Sequence, residues 1–191
     1  MKEKYPEKES FQVEVLEQEA REQEKMIKKL EELMKAAGEC ADYIEKLRLY
    51  DEVLTIKSNH PQALIQKGFA LDRIGKPNEA LACYGRALEL DPGNFGIWCL
   101  KGFAFNNLKE FEKAVECYDE VLKSNPEDVF AWYQKGISLE NLGRYGDAMK
   151  CYDIALEIDP TDILIREKRM KLLAIIYKNG SLTAHPDSKL N

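Results

Sequence analysis

An all-α fold of stacked antiparallel helix pairs, about nine helices in all, is what three features of the sequence predict. Gly68, Gly102 and Gly136 stand 34 residues apart. Tyr84, Tyr118 and Tyr152 keep that interval, as do Ala80, Ala114 and Ala148, and Pro92, Pro126 and Pro160. Inside each interval the apolar residues recur at spacings of three and four in two separate runs, the pattern of two helices. Self-similarity at this period marks a solenoid, in which each unit buries its apolar face only against its neighbours.

The chain begins with a charged helical extension over residues 1–26. Val13, Leu16, Ala20, Gln23, Ile27, Leu30, Met34 and Ala37 alternate at spacings of three and four, so a helix is expected from about Glu9 to Ala37 with an apolar seam broken at Gln23. A degenerate unit follows over 27–60, because the stretch from Asp42 to Leu54 aligns with Glu110 to Leu122 and places Tyr50 on Tyr118. Met34 stands where later units have glycine, which predicts a looser crossing of its two helices.

Three full units run over 61–94, 95–128 and 129–162. In the middle one, Trp98, Gly102 and Phe105 share a face of the first helix, and Ala114, Tyr118 and Val121 share a face of the second. The missing Cβ of Gly102 lets the second helix come close, and Tyr118 is expected to fill the space beyond that contact. Pro126 ends the second helix. After Asp162 a terminal capping helix is expected over 163–178, with Ile163, Met170 and Leu173 inward and Met170 at the glycine position. The stretch Leu172 to Tyr177 is apolar all round, which calls for a covering surface, and Arg166, Lys168, Arg169 and Lys171 make the helix locally basic. The polar residues 179–191 read as a disordered tail.

Lys and Arg number 28 against 34 Asp and Glu, a net charge of −6, which disfavours nucleic acid as a ligand. The first thirty residues carry no apolar run, and no stretch of about 18 apolar residues occurs anywhere. Neither a secretory signal nor a membrane span is therefore expected, and a cytoplasmic location is. Cys83, Cys117 and Cys151 repeat with the array and read as small packing residues; Cys40 and Cys99 lack neighbours at metal-ligand spacing. His60 and His185 are the two histidines, neither with a nucleophile and an orienting acid at recognisable spacing, and no glycine-rich phosphate loop occurs. A non-enzymatic protein without cofactor or metal is expected.

With its Trp, Gly, Tyr, Ala, Phe and Pro positions the chain resembles the tetratricopeptide repeat (TPR) family, of the prokaryotic tandem type, over three units of 34 residues. Leu64 replaces the Trp in the first unit. Lys67, Lys101 and Lys135 replace the Leu before glycine, with stems expected along apolar surface and ammonium groups in water. The resemblance implies a right-handed superhelix whose concave groove is lined by the first helix of each repeat. It maps the groove onto Ile65, Phe69 and Arg73, then Cys99, Phe103, Asn106 and Asn107, then Phe130, Tyr133, Ile137 and Asn141, with Gln62, Asp72, Gly96 and Glu140 at the remaining lining positions.

An apolar, aromatic groove of this kind implies a protein-interaction scaffold or adaptor that takes an amphipathic helix or extended segment of a partner. Aromatics at helical spacing also serve interior packing, so part of the set is expected to contact neighbouring repeats. The charged clamp by which some family members grip a chaperone's C-terminal carboxylate is absent, since Ile65, Phe69, Leu100, Phe130 and Gln134 stand at its positions. The alternative is a self-associating structural protein that uses the N-terminal seam and the apolar C-terminal helix. Its groove would be filled by its own chain or by a second copy.

Overall fold

A computed structural model describes residues 6–183, with side chains from 12 to 178. Among these residues nine helices and no strand are present. They are α1 (Pro6–Glu39), α2 (Tyr43–Ile56), α3 (Pro61–Arg73), α4 (Pro77–Leu90), α5 (Phe95–Asn107), α6 (Phe111–Ser124), α7 (Val129–Asn141), α8 (Tyr145–Ile158) and α9 (Ile163–Thr183). Each packs on the next in sequence. The first helices of successive hairpins also meet, α3 with α5 and α5 with α7, more closely than the second helices do. The stack therefore curves towards the first helices, which line its concave side.

The hairpins close through one repeated contact. A Cβ built on Gly68 would lie 2.5 Å from Tyr84 Cε1, and one on Gly102 would lie 2.7 Å from Tyr118 Cζ; Gly136 faces Tyr152 in the same way. The tyrosine ring thus rests on the glycine itself rather than beyond it, and all three rings are fully buried. Ala80, Ala114 and Ala148, also fully buried, let the backbones approach.

Turn chemistry repeats as well. Gly75, Lys109 and Gly143 take positive φ just past the first helix of each hairpin, and the next amide bonds back across the turn, as Glu110 N–H does to the Phe105 carbonyl at 2.9 Å. This left-handed C-terminal turn suits glycine, and Lys109 adopts it against its steric preference. The N-termini of α3, α7 and α9 are capped by His60 Nδ1, Asp128 Oδ1 and Asp162 Oδ1, which accept from backbone amides.

Three expectations need correction. Ile163 and Met170 are not inward: they are 68% and 57% exposed, while Ile165 and Leu172 fill the core. Both corrected residues lie on the face that a second helix of that hairpin would cover, and the described residues contain none. The helix also continues past residue 178 to Thr183, since Asn179 and Gly180 each weaken a helix by only about 1 kcal/mol or less. The rest of the expected tail, 184–191, lies outside the described residues. Finally, the repeat lysines do not simply rest in water. Lys135 Nζ is 2.6 Å from Asp119 Oδ1 of the preceding repeat, and Lys67 pairs with Asp51 and Arg169 with Asp153 in the same manner. Gly85 interrupts this ladder, and Lys101 lies over the Trp98 ring instead, 4.5 Å from its centroid.

Candidate functional site

Two exposure classes divide the expected groove set. Phe69 and Phe103 are each 42% exposed and Phe130 51%; Arg73, Asn107 and Asn141 are exposed too. These six are the open members of the set on α3, α5 and α7, although the Arg73 guanidinium lies over the Tyr43 ring of α2, 5.7 Å from its centroid. Ile65, Cys99, Asn106, Tyr133 and Ile137 are half-buried, and the apolar ones pack against core clusters between neighbouring helices. Tyr133, for example, has its ring 6.0 Å from that of Tyr152. A helical position that points inward on the curved stack is thus shared between groove floor and inter-repeat packing.

Polar residues of the wall are largely committed. The Tyr84 hydroxyl donates to Asp72 Oδ2 at 2.9 Å, and the Tyr152 hydroxyl to Glu140 Oε2 at 3.0 Å. Asn106 uses its amide on the Tyr118 hydroxyl, 3.4 Å away, and its oxygen accepts from the Ser138 hydroxyl at 2.8 Å. Asn106 therefore joins two repeats instead of standing ready on the rim. Asn141 donates to the Ile137 carbonyl of its own helix at 2.9 Å, which leaves its oxygen to the solvent side.

These bonds differ at the second oxygen. Glu140 Oε1 meets Lys168 Nζ at 3.1 Å, whereas Asp72 Oδ1 is buried without a partner. The cause is legible in the repeat: the positions that supply Lys168 and Ser138 to their neighbours hold Leu100 and Ala104 opposite Asp72. Burial accordingly pushes the Asp72 carboxyl above its ordinary range, and the Tyr84 hydrogen bond opposes that only in part.

Burial also raises the thiols, Cys99, Cys117 and Cys151 to about 11, which makes them poor nucleophiles near neutral pH. No cluster of His, Cys, Asp or Glu among the described residues could hold a metal ion, and none of the described helices is long and apolar enough to cross a membrane.

Three residues of the wall escaped the sequence reading. The buried pair Ile165 and Leu172 occupies the repeat positions of Ala131 and Ser138, so α9 sits as a further first helix. Its exposed Leu164, Lys171 and Ile175 are in step with Phe130, Ile137 and Asn141. The signal was the 34-residue interval carried past residue 162.

A curved stack of glycine–tyrosine hairpins with an apolar inner wall is the architecture of a helical-repeat interaction module. The tetratricopeptide repeat family model matches residues 61–94, 96–128 and 129–162, more than half of the chain, and the protein belongs to that family. Among solved structures, MamA 41-end from Desulfovibrio magneticus RS-1 superposes with a TM-score of 0.69 at 21% identity, over 84% of this chain and 98% of that one. The first TPR of Spaghetti (RPAP3), bound to the HSP90 peptide SRMEEVD, superposes with a TM-score of 0.58 at 24% identity, over 61% of this chain and 93% of that one. The Sgt2 TPR domain from Aspergillus fumigatus does so with 0.61 at 18% identity, over 69% and 88%. At such identities the likeness is one of fold. No curated protein matches the chain.

Proposed function

We propose that the protein is a non-catalytic adaptor, cytoplasmic in location, whose concave wall holds an amphipathic helix or extended segment of a partner protein. One observation carries this reading: Phe69, Phe103 and Phe130 stay 42%, 42% and 51% exposed on adjoining first helices of one wall. Large aromatics left open in a row have a use when another apolar surface covers them. The RPAP3 repeat domain, seen with a peptide of HSP90, supports a peptide as the kind of ligand. The wall here is apolar at the positions of the charged clamp, so a carboxylate-terminated peptide of that type is not the expected ligand.

Arg73, Asn107 and the Asn141 oxygen would orient the segment at the rim, and Phe69, Phe103 and Phe130 would supply most of the affinity. The test is a comparison of proteins captured by wild type and by the Phe103→Glu, Phe130→Glu double variant, with thermal melts to check that both are folded. Tyr133 is left intact because it packs on Tyr152. Loss of captured partners without loss of the melt supports the groove, and an unchanged set of partners refutes it. A second copy of the chain is the other partner its surface favours, through helix faces outside this groove.

A further inference from the structure

We infer that copies of this chain join head to tail, the projecting half of α1 of one copy lying antiparallel along the uncovered face of α9 of the next. Two helix faces, one at each end of the stack, lead to this. On α1, Val13, Leu16 and Ile27 are 54%, 60% and 57% exposed, and Ala20 and Gln23 between them are exposed too. On α9, Ile163 and Met170 are 68% and 57% exposed, and Ala174 and Tyr177 continue their stripe. Both stripes span the same number of residues, 13 to 27 and 163 to 177, about 21 Å at the helical rise.

Laid antiparallel, the stripes match position by position. Ile27 meets Ile163, and Leu16 meets Ala174. Ala20, the small residue of one seam, faces Met170, the large residue of the other, which inverts the glycine–tyrosine arrangement of the inner hairpins. At the polar break of the two seams Gln23 lies level with Glu167, with Arg166, which also donates to the Pro160 carbonyl, one residue beyond, so the Gln23 amide can hydrogen-bond to either. A parallel arrangement sets Arg166 against Leu16 instead. The antiparallel direction is also the one that a second helix of the α9 hairpin would take.

Charge selects this pair over the like pairs. Glu17, Glu19 and Glu24 border the α1 seam, so two α1 helices side by side would set carboxylates against each other. Arg166, Lys171 and Lys178 border the α9 stripe with Glu167 as the one acid, so two α9 helices repel as well. Only α1 against α9 brings opposite signs together. Within one chain α1 packs on α2 and α9 on α8, at opposite ends of the stack, so the partner is a second copy. Such a joint leaves one α1 and one α9 unused at the ends and propagates into open chains or rings. Two stripes of this length bury less than the roughly 1,200 Å² of a tight interface, and the joint is therefore a weak, micromolar one.

Sedimentation velocity on the full chain over a micromolar concentration series tests this. Wild type is expected to grow beyond a dimer, and to shrink as salt is raised. Leu16→Glu and Met170→Glu each change a well-exposed side chain, leave the melt unchanged, and are expected to weaken self-association about tenfold or more. An equimolar mixture of the two variants is the decisive sample. The Leu16→Glu copy keeps its α9 face and the Met170→Glu copy keeps its α1 seam, so the mixture should stop at a one-to-one dimer. Monomeric wild type throughout the series overturns the inference. So does undiminished assembly of Met170→Glu, which would mean α1 pairs with α1, or a mixture that stays monomeric. Phe103→Glu should assemble like wild type; if it alone blocks assembly, the groove is the joint and this assignment falls while the groove reading stands.

Discussion

The three central hairpins and the two ends of the stack share one register and differ most plainly at its glycine position. In the centre, Gly68, Gly102 and Gly136 each receive a buried tyrosine ring. At the ends the same positions hold Met34 and Met170. Met34 is half-buried, and α1 packs on α2 less extensively than the helices of the central hairpins pack on each other. Met170 meets no second helix among the described residues and stays exposed. The glycine thus marks the hairpins in which a tyrosine ring seats against the facing helix, and a methionine the helices that lack this contact.

The contrast breaks most sharply at the central glycines. Gly102→Ala places a methyl 2.7 Å from a ring atom of fully buried Tyr118, a clash that the packed ring cannot relieve cheaply, and is expected to cost about 1–3 kcal/mol in chemical denaturation. Gly38→Ala, near the end of α1 with nothing within 4 Å of the added carbon, should instead gain up to about 1 kcal/mol. Equal effects at the two sites would remove the distinction between centre and end.

A second test uses the buried oxygen of Asp72. Its carboxyl is raised in the folded state by burial, so the folded protein holds the proton more tightly than the unfolded chain. Its contribution is then most favourable below the ordinary carboxylate range, about pH 4, and is lost as pH rises through the higher folded value. Asp72→Asn should remove that part of the pH dependence and raise the melting temperature at neutral pH relative to wild type. A wild-type-minus-variant difference that is flat with pH would mean that the carboxylate is satisfied in solution.

The smallest expected effect lies in the ion-pair ladder. Gly85→Asp supplies Lys101 with the partner that Lys67 and Lys135 find in Asp51 and Asp119. It also removes a helix-interior glycine that has nothing within 4 Å. A gain of about 0.5–1 kcal/mol is expected, with the pairing part of it fading at high salt.

The hairpins could be read from the chain because the 34-residue recurrence is local and repeated. One helix in each unit shows its Gly and the next its Tyr, so hairpin closure needs no knowledge of distant parts. The groove was legible only in part. Phe69 and Ile65 carry the same apolar signal, yet one is open and the other wedged between helices, because the curvature of the whole stack sets how far each position is covered. Asn106 read as a rim residue, while it donates to the Tyr118 hydroxyl and accepts from Ser138, residues 12 and 32 positions away.

Spacing alone therefore settled the helix pairs and their order, since those rest on contacts between residues that recur in step within one hairpin. Which side chains of the concave wall remain open, which carboxylate is left half-bonded and which faces lack a cover emerged only in three dimensions. Each depends on what the adjoining repeat brings against it, and that neighbour is chosen by the stacking geometry rather than by the residue itself.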